Sequence, residues 1–176
     1  MRRSPVAFSA DGLPVGTYGG VQVSPTGAPR TNGILLVPGT VDVATATADG
    51  DLVGLVSTSA QGREIVASVC TGAFLLSAAG LLPNAWTTHW EDLAQLGRPG
   101  GRRARVVDAG ALATGGGLAC GIDVALHLVA RSTDSALARL VARQLDYPWD
   151  YYGDDTGGSD PVVIEREVAA GPAEVY

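Results

Sequence analysis

The chain has 176 residues, a formal net charge of −6 and no lysine, all 12 basic residues being arginine. That length suits one domain with a single substantial core, and the acidic balance would repel a phosphate backbone, which argues against nucleic acid as a partner. Two cysteines are too few for a disulfide framework and have no zinc-ligand spacing, no apolar run reaches membrane-spanning length, and Met1-Arg2-Arg3-Ser4-Pro5 leads into no signal-peptide core; a cytoplasmic protein with no metal and no membrane contact is expected.

In chain order, Gly20-Val21-Gln22-Val23 reads as a short edge strand between turn-rich flanks. Gly33-Ile34-Leu35-Leu36-Val37-Pro38-Gly39 is a continuous apolar run of the kind buried on both faces of a parallel sheet, so a core strand is predicted. Leu52, Val53, Leu55 and Val56 follow helical spacing from Asp51 to Gln61, and Ile65-Val66-Ala67 returns to strand, completing a βαβ unit. Thr71 to Leu82 is the next predicted helix, broken by Pro83-Asn84, with a brief extended piece at Trp86-Thr87-Thr88 and one or two helical turns from Glu91 to Leu96. Arg98, Arg102, Arg103 and Arg105 lie in a Gly/Pro-rich stretch and read as a solvated turn. Val106-Val107 and Ala111-Leu112-Ala113-Thr114 form a predicted hairpin around Asp108-Ala109-Gly110, followed by Gly115-Gly116-Gly117. Two helices, Gly121 to Ala130 and Thr133 to Leu145, close an α/β sandwich. Residues 1–147 are thus read as one domain and 148–176 as an acidic, aromatic and Gly-rich tail, in which Val162-Val163-Ile164 has the composition of a terminal strand.

Chemistry concentrates at Ala67-Ser68-Val69-Cys70-Thr71-Gly72, where a strand run stops at a cysteine and a helical pattern begins. Ser68 and Gly72 stand two residues either side, the small positions that a nucleophile elbow requires. Such a turn exposes the thiol above a sheet, and the free N–H groups of the next helix favour an anion there. The alternative is a cysteine that only fills core space. His89 closes the following short strand and is either a base beside the thiol or a loop anchor; His127, mid-helix, reads as structural, Cys120 as buried, Asp123 as a first-turn cap, and Asp11 and Asp42 as turn aspartates.

Taken together, the elbow, Val37-Pro38-Gly39, Thr87-Thr88-His89-Trp90, and Thr114-Gly115 running to Ala119-Cys120-Gly121-Ile122-Asp123 resemble the ThiJ/PfpI superfamily of class I glutamine-amidotransferase-like domains. The likeness spans residues 17 to 147 and is strongest to the branch that holds isonitrile hydratase and the sensor domains of AraC-type regulators. It implies a flavodoxin-like three-layer sandwich with a mostly parallel sheet. It also implies catalytic roles for Cys70, Thr71 and His89, with Thr71 positioning substrate or water, and a substrate and oxyanion site around Gly39, Thr40 and Gly72. The implied activity is cofactor-free hydration of an isonitrile to an N-substituted formamide. Alternatives that the resemblance also implies are a non-catalytic small-molecule-sensing or structural domain, or a cysteine-based redox or carbonyl-stress protein. The chain departs from the pattern at its start: Val6-Ala7-Phe8 through Val15 resemble the family's second strand, so the first βα unit, which carries an acid beside the cysteine, is missing from the given sequence. Its loss would leave strand edges open to a second subunit, and a homodimer is expected.

Overall fold

The computed structural model describes residues 5–149 and the backbone of Val162–Ile164. The main sheet runs β3-β4-β6-β5-β7, built from β3 (Ile34–Val37), β4 (Ile65–Val69), β6 (Leu112–Gly115), β5 (Val106–Asp108) and β7 (Val162–Ile164). The β3–β4 and β4–β6 pairs are parallel, while β5 runs antiparallel to both β6 and β7. The predicted hairpin is therefore present, and Val162–Ile164 of the predicted tail is a strand of this sheet. The rest of the tail from Asp150 lies outside the described residues. A separate two-stranded ribbon pairs β1 (Val15–Gly16) with β2 (Gln22–Val23). No helix among the described residues is long and apolar enough to cross a membrane.

Period-two alternation assigns each strand residue to a layer. Leu35, Val37 and Val66 point to one face, where they pack with Val56, Leu75 and Leu76 of α2 (Gly50–Ala60) and α3 (Gly72–Ala78). Ile65, Ala67, Val106 and Ala113 point to the other and meet Val124 and Leu128 of α5 (Cys120–Ser132). α6 (Ser135–Gln144) lies against α5 through Leu126, Ala130, Ala138, Ala142 and Trp149. This is the flavodoxin-like three-layer arrangement.

Local chemistry sets several element ends. α1 (Val43–Ala48) was not foreseen, because its Ala/Thr composition has no apolar stripe; Asp42 starts it by accepting from Thr45 N–H at 3.0 Å and from the Thr45 hydroxyl at 2.7 Å. Those two bonds, the backbone one first, hold the Asp42 carboxyl below its usual range. Asp49 caps α2 in the same way, and Gly97 at φ 62° ends the short α4 (Leu93–Leu96) in a left-handed C-cap.

Three expectations are corrected. β3 is the edge of the sheet instead of a strand buried on both faces: α5 covers β4, β6 and β5, and Ile34 and Leu36 remain 38% and 51% exposed. Asp123 does not cap its helix but accepts from Arg105 and from the Tyr147 hydroxyl, the latter at 3.0 Å. Arg105, expected in a solvated turn, is correspondingly tucked between Asp123 and Tyr147. Burial opposes its charge, yet the Asp123 carboxylate holds the Arg105 guanidinium above its ordinary value, while burial and Asp123 push the Tyr147 phenol up.

A second polar cluster ties α5 to β5. His127 Nε2 lies 2.5 Å from Asp108 Oδ2, Arg131 donates to both Asp108 oxygens at 3.0 Å, and Gly110 N–H donates to Oδ1 at 2.9 Å. Burial alone would raise the Asp108 carboxyl, but the His127 hydrogen bond, the Gly110 N–H and the neighbouring His127 and Arg131 side chains outweigh it and hold the group below its usual range. A carboxyl lowered on folding contributes stability above its unfolded value of about 3.9 and loses it as pH falls through the lower folded value. Asp108→Asn is expected to cost about 2–3 kcal/mol in urea unfolding at neutral pH. The deficit should vanish as the wild type is taken from about pH 5 into strong acid.

Candidate active site

β4 delivers Cys70 to the sheet's carboxyl end, and the chain must turn sharply there to enter α3. Cys70 has φ 55°, one of two non-glycine residues with positive φ among the described residues. A β-carbon in that region costs on the order of 1–3 kcal/mol, so neighbouring contacts must hold it. The Cys70 N–H donates to the Gly116 carbonyl at 2.8 Å and to that of Gly115 at 3.0 Å, while the Cys70 carbonyl accepts from the Thr88 hydroxyl at 2.8 Å. Thr88 is itself 1% exposed. Next to it, Thr87 N–H donates to Thr114 Oγ1 at 2.8 Å and the Thr87 hydroxyl to the Ala104 carbonyl at 3.1 Å. The strained residue is thus clamped by the Gly115–Gly116 corner after β6 and by the Thr87–Thr88 segment. Sequence reading placed Thr88 in a motif without a role; a buried threonine ahead of a histidine carries no signal of which backbone it will bond.

Thr71 and the Pro38-Gly39-Thr40 turn lock together. The Thr71 hydroxyl donates to the Thr40 carbonyl at 2.6 Å and accepts from Thr40 N–H at 2.8 Å. Both sides of that hydroxyl are therefore engaged in bracing the turn, and the Thr40 N–H is directed to it. Gly39 sits so close that a β-carbon there would fall 2.8 Å from Thr71 Oγ1 and 3.2 Å from Cys70 Cβ. At Gly72 a β-carbon would lie 2.4 Å from the Val37 carbonyl oxygen. Both glycines are required by close packing of β3 and its turn onto the elbow. Thr71 N–H and Gly72 N–H, in the first turn of α3, make no hydrogen bond within the described residues, and they are the donors left beside Cys70.

His89 enters from the other side of the clamp. It is 24% exposed, its Nδ1 lies 3.6 Å from Asp92 and 3.7 Å from Glu91, and its ring tilts against Trp90 with centroids 5.8 Å apart. Its Cδ2–Nε2 edge faces Gly117, where a β-carbon would come within 3.1 Å of Cδ2 and 3.6 Å of Nε2. His89 therefore abuts the glycine loop whose carbonyls hold the Cys70 N–H. Both cysteines are free: Cys70 is half-buried, and Cys120 is buried, its thiol pushed up by that burial. No side chain among the described residues hydrogen-bonds the Cys70 sulfur. Asp11, a conceivable substitute acid, instead accepts from Ser9 and Leu13 in its own turn, and Asp42 caps α1.

Comparison with known proteins places this architecture. The pattern of the DJ-1/PfpI family matches residues 5–131. Isonitrile hydratase of Pseudomonas putida is 36% identical over 171 residues, covering 91% of this chain and 75% of that protein. A ThiJ/PfpI family protein from Pseudomonas syringae superposes with a TM-score of 0.70 at 27% identity, over 87% of this chain and 66% of that one. DJ-1beta of Drosophila melanogaster shares the fold at a TM-score of 0.64, with 18% identity over 78% of this chain and 79% of its own. By the extent of the sequence match and the fold, the chain belongs to the DJ-1/PfpI family.

Proposed function

We propose that the protein hydrates an isonitrile to an N-substituted formamide through Cys70. The observation that carries this reading is the clamped, left-handed Cys70 with two unengaged N–H donors, Thr71 and Gly72, beside it. The likeness to the P. putida isonitrile hydratase supports it. In the proposed cycle the Cys70 sulfur bonds to the isonitrile carbon and the thiol proton passes to that carbon, giving a thioimidate. Water then adds to the same carbon while nitrogen takes a proton. The C–S bond breaks, the formamide leaves and the thiol is restored, so the net change is addition of one water. Charge developing on the substrate would face the Thr71 and Gly72 N–H groups, and His89 would carry protons between water and substrate. Gly39 and Thr40 would form the opposite wall of the substrate site. The cycle needs no cofactor, and a free thiol of this kind suits a reducing cytoplasm.

A second reading is a sensing or redox thiol that does not turn over. It is favoured by the absence, among the described residues, of any side chain hydrogen-bonded to the Cys70 sulfur. The two differ in stoichiometry. With an alkyl isonitrile in excess, NMR is expected to show formamide accumulating far beyond one equivalent per chain, and Cys70→Ser to lower the rate by at least about three orders of magnitude. Consumption of a single equivalent, with a mass adduct on Cys70, would establish the second reading.

The clamp is testable by itself. Thr88→Val keeps the shape of the side chain but removes the hydroxyl that holds the Cys70 carbonyl, a loss of about 1 kcal/mol. Labelling of Cys70 by a neutral alkylating reagent is expected to slow about fivefold with unchanged far-UV circular dichroism. Thr88→Ser should restore it.

A further inference from the structure

The two loops that clamp Cys70 each carry a large apolar side chain into water. Thr88 holds the Cys70 carbonyl at 2.8 Å, and the Gly116 carbonyl holds the Cys70 N–H at 2.8 Å. Two positions beyond these residues stand Trp90, 58% exposed, and Leu118, 87% exposed. Two residues of chain span at most about 7 Å, so both positions stay close to a residue that bonds Cys70. The loops also touch one another: the Cδ2–Nε2 edge of His89 faces Gly117, and the Trp90 ring leans on the His89 ring with centroids 5.8 Å apart. Trp90 and Leu118 each follow directly on a member of that His89–Gly117 contact. A third segment brings a charge to the same rim. Residues 102–105 are pinned against both loops, since Arg102 N–H donates to the Trp86 carbonyl at 2.8 Å, the Thr87 hydroxyl to the Ala104 carbonyl at 3.1 Å, and Gly116 N–H to the Arg105 carbonyl at 3.0 Å. From this segment the exposed Arg103 guanidinium reaches to 5.9 Å from the centroid of the Trp90 ring. No carboxylate among the described residues pairs with it, whereas Arg105 and Arg131 each hold one. Glu91 and Asp92 instead lie at His89 Nδ1, 3.7 and 3.6 Å away.

We infer that Trp90, Leu118 and Arg103 form the subsite for the substrate's N-substituent, and that it selects isonitriles bearing an apolar chain that ends in a carboxylate. The inference rests on hydration at Cys70. The reacting end of an isonitrile is small and linear and is the same in every member of the class, so Cys70 and the Thr71 and Gly72 N–H groups tell one substrate from another very little. Discrimination falls to the groups that meet the substituent. With the isonitrile carbon on the sulfur and Gly39 and Thr40 on the opposite wall, the substituent extends past His89. Its methylene groups then cover Trp90 and Leu118, which removes apolar surface of both partners from water. Its carboxylate meets the Arg103 fork, whose planar donors match two carboxylate oxygens at once. A chain with a net charge of −6 repels anions in general, so an anionic substrate needs such a local cation to be accepted at all. A neutral substituent of the same length gains the apolar contact alone.

The test compares hydration of ω-isocyanohexanoate and pentyl isocyanide, which share the same run of carbons beside the isonitrile. The wild type is expected to favour the carboxylate about fivefold in kcat/KM, with the difference in KM. Arg103→Gln should bring that ratio to about one and Arg103→Lys should keep part of it, while Trp90→Ala raises KM for both compounds. Arg98→Gln, which neutralises another arginine of the same stretch, should leave the ratio in place. A wild-type ratio near one with both compounds turned over, a ratio that survives Arg103→Gln, or one lost equally in Arg98→Gln overturns the subsite and leaves hydration standing. If neither compound is hydrated, the hydration reading fails, and the subsite is read without turnover. In that measurement ω-formamidohexanoate should protect Cys70 from iodoacetamide at about one-fifth of the concentration that N-pentylformamide requires, in the wild type and not in Arg103→Gln. Equal protection by the two formamides overturns the subsite as well.

Discussion

The site depends on keeping one residue in a conformation it would not choose. Cys70 has a β-carbon and a positive φ, so the turn from β4 into α3 exists only because its N–H is held by the Gly115 and Gly116 carbonyls and its carbonyl by Thr88. Each partner arrives on a different element, the first pair from the end of β6 and the second from the segment after α3. Any movement of those elements loosens the elbow, which links the packing of the sheet directly to the presentation of the thiol.

Close approach does comparable work on the opposite side. Gly72 lies against the Val37 carbonyl and Gly39 against Thr71, so the end of β3 and its turn are pressed onto the start of α3 with no room for a side chain. The Thr71 hydroxyl then ties that turn in place through both Thr40 backbone groups. The carboxyl end of β3 is pressed onto the elbow, and its other flank has no strand partner among the described residues, with Ile34 and Leu36 exposed.

Farther from the thiol, polar clusters add to the apolar contacts that fasten α5. Asp108 gathers His127 and Arg131 at the end of β5, and Asp123 gathers Arg105 and Tyr147 at the start of the helix. Such pairs add little net stability when compared with apolar packing, but each is costly to break one partner at a time, so they favour one seating of the helix over others. That seating matters because α5 follows directly on the glycine loop that clamps Cys70.

Sequence alone determined most of the strands and helices of the main sandwich and the turn at Cys70, because these rest on local patterns of apolar runs, turn residues and small residues at fixed offsets; the family rested on the resemblance of several motifs in a consistent order. The need for Ser68 and Gly72 to be small was legible for the same reason. α1 was not, since its Thr and Ala residues show no stripe and its start depends on a side-chain cap at Asp42. Nor was the exposure of β3: an apolar run looks alike whether or not a neighbour covers it, and only the sheet order reveals an edge. The salt bridge between Arg105 and Asp123 and the hydrogen bond from Thr88 to Cys70 join residues 18 positions apart in each case. The brace between Thr71 and Thr40 spans 31. Tertiary structure decided these contacts, because a polar side chain commits to a partner only when folding removes water from both.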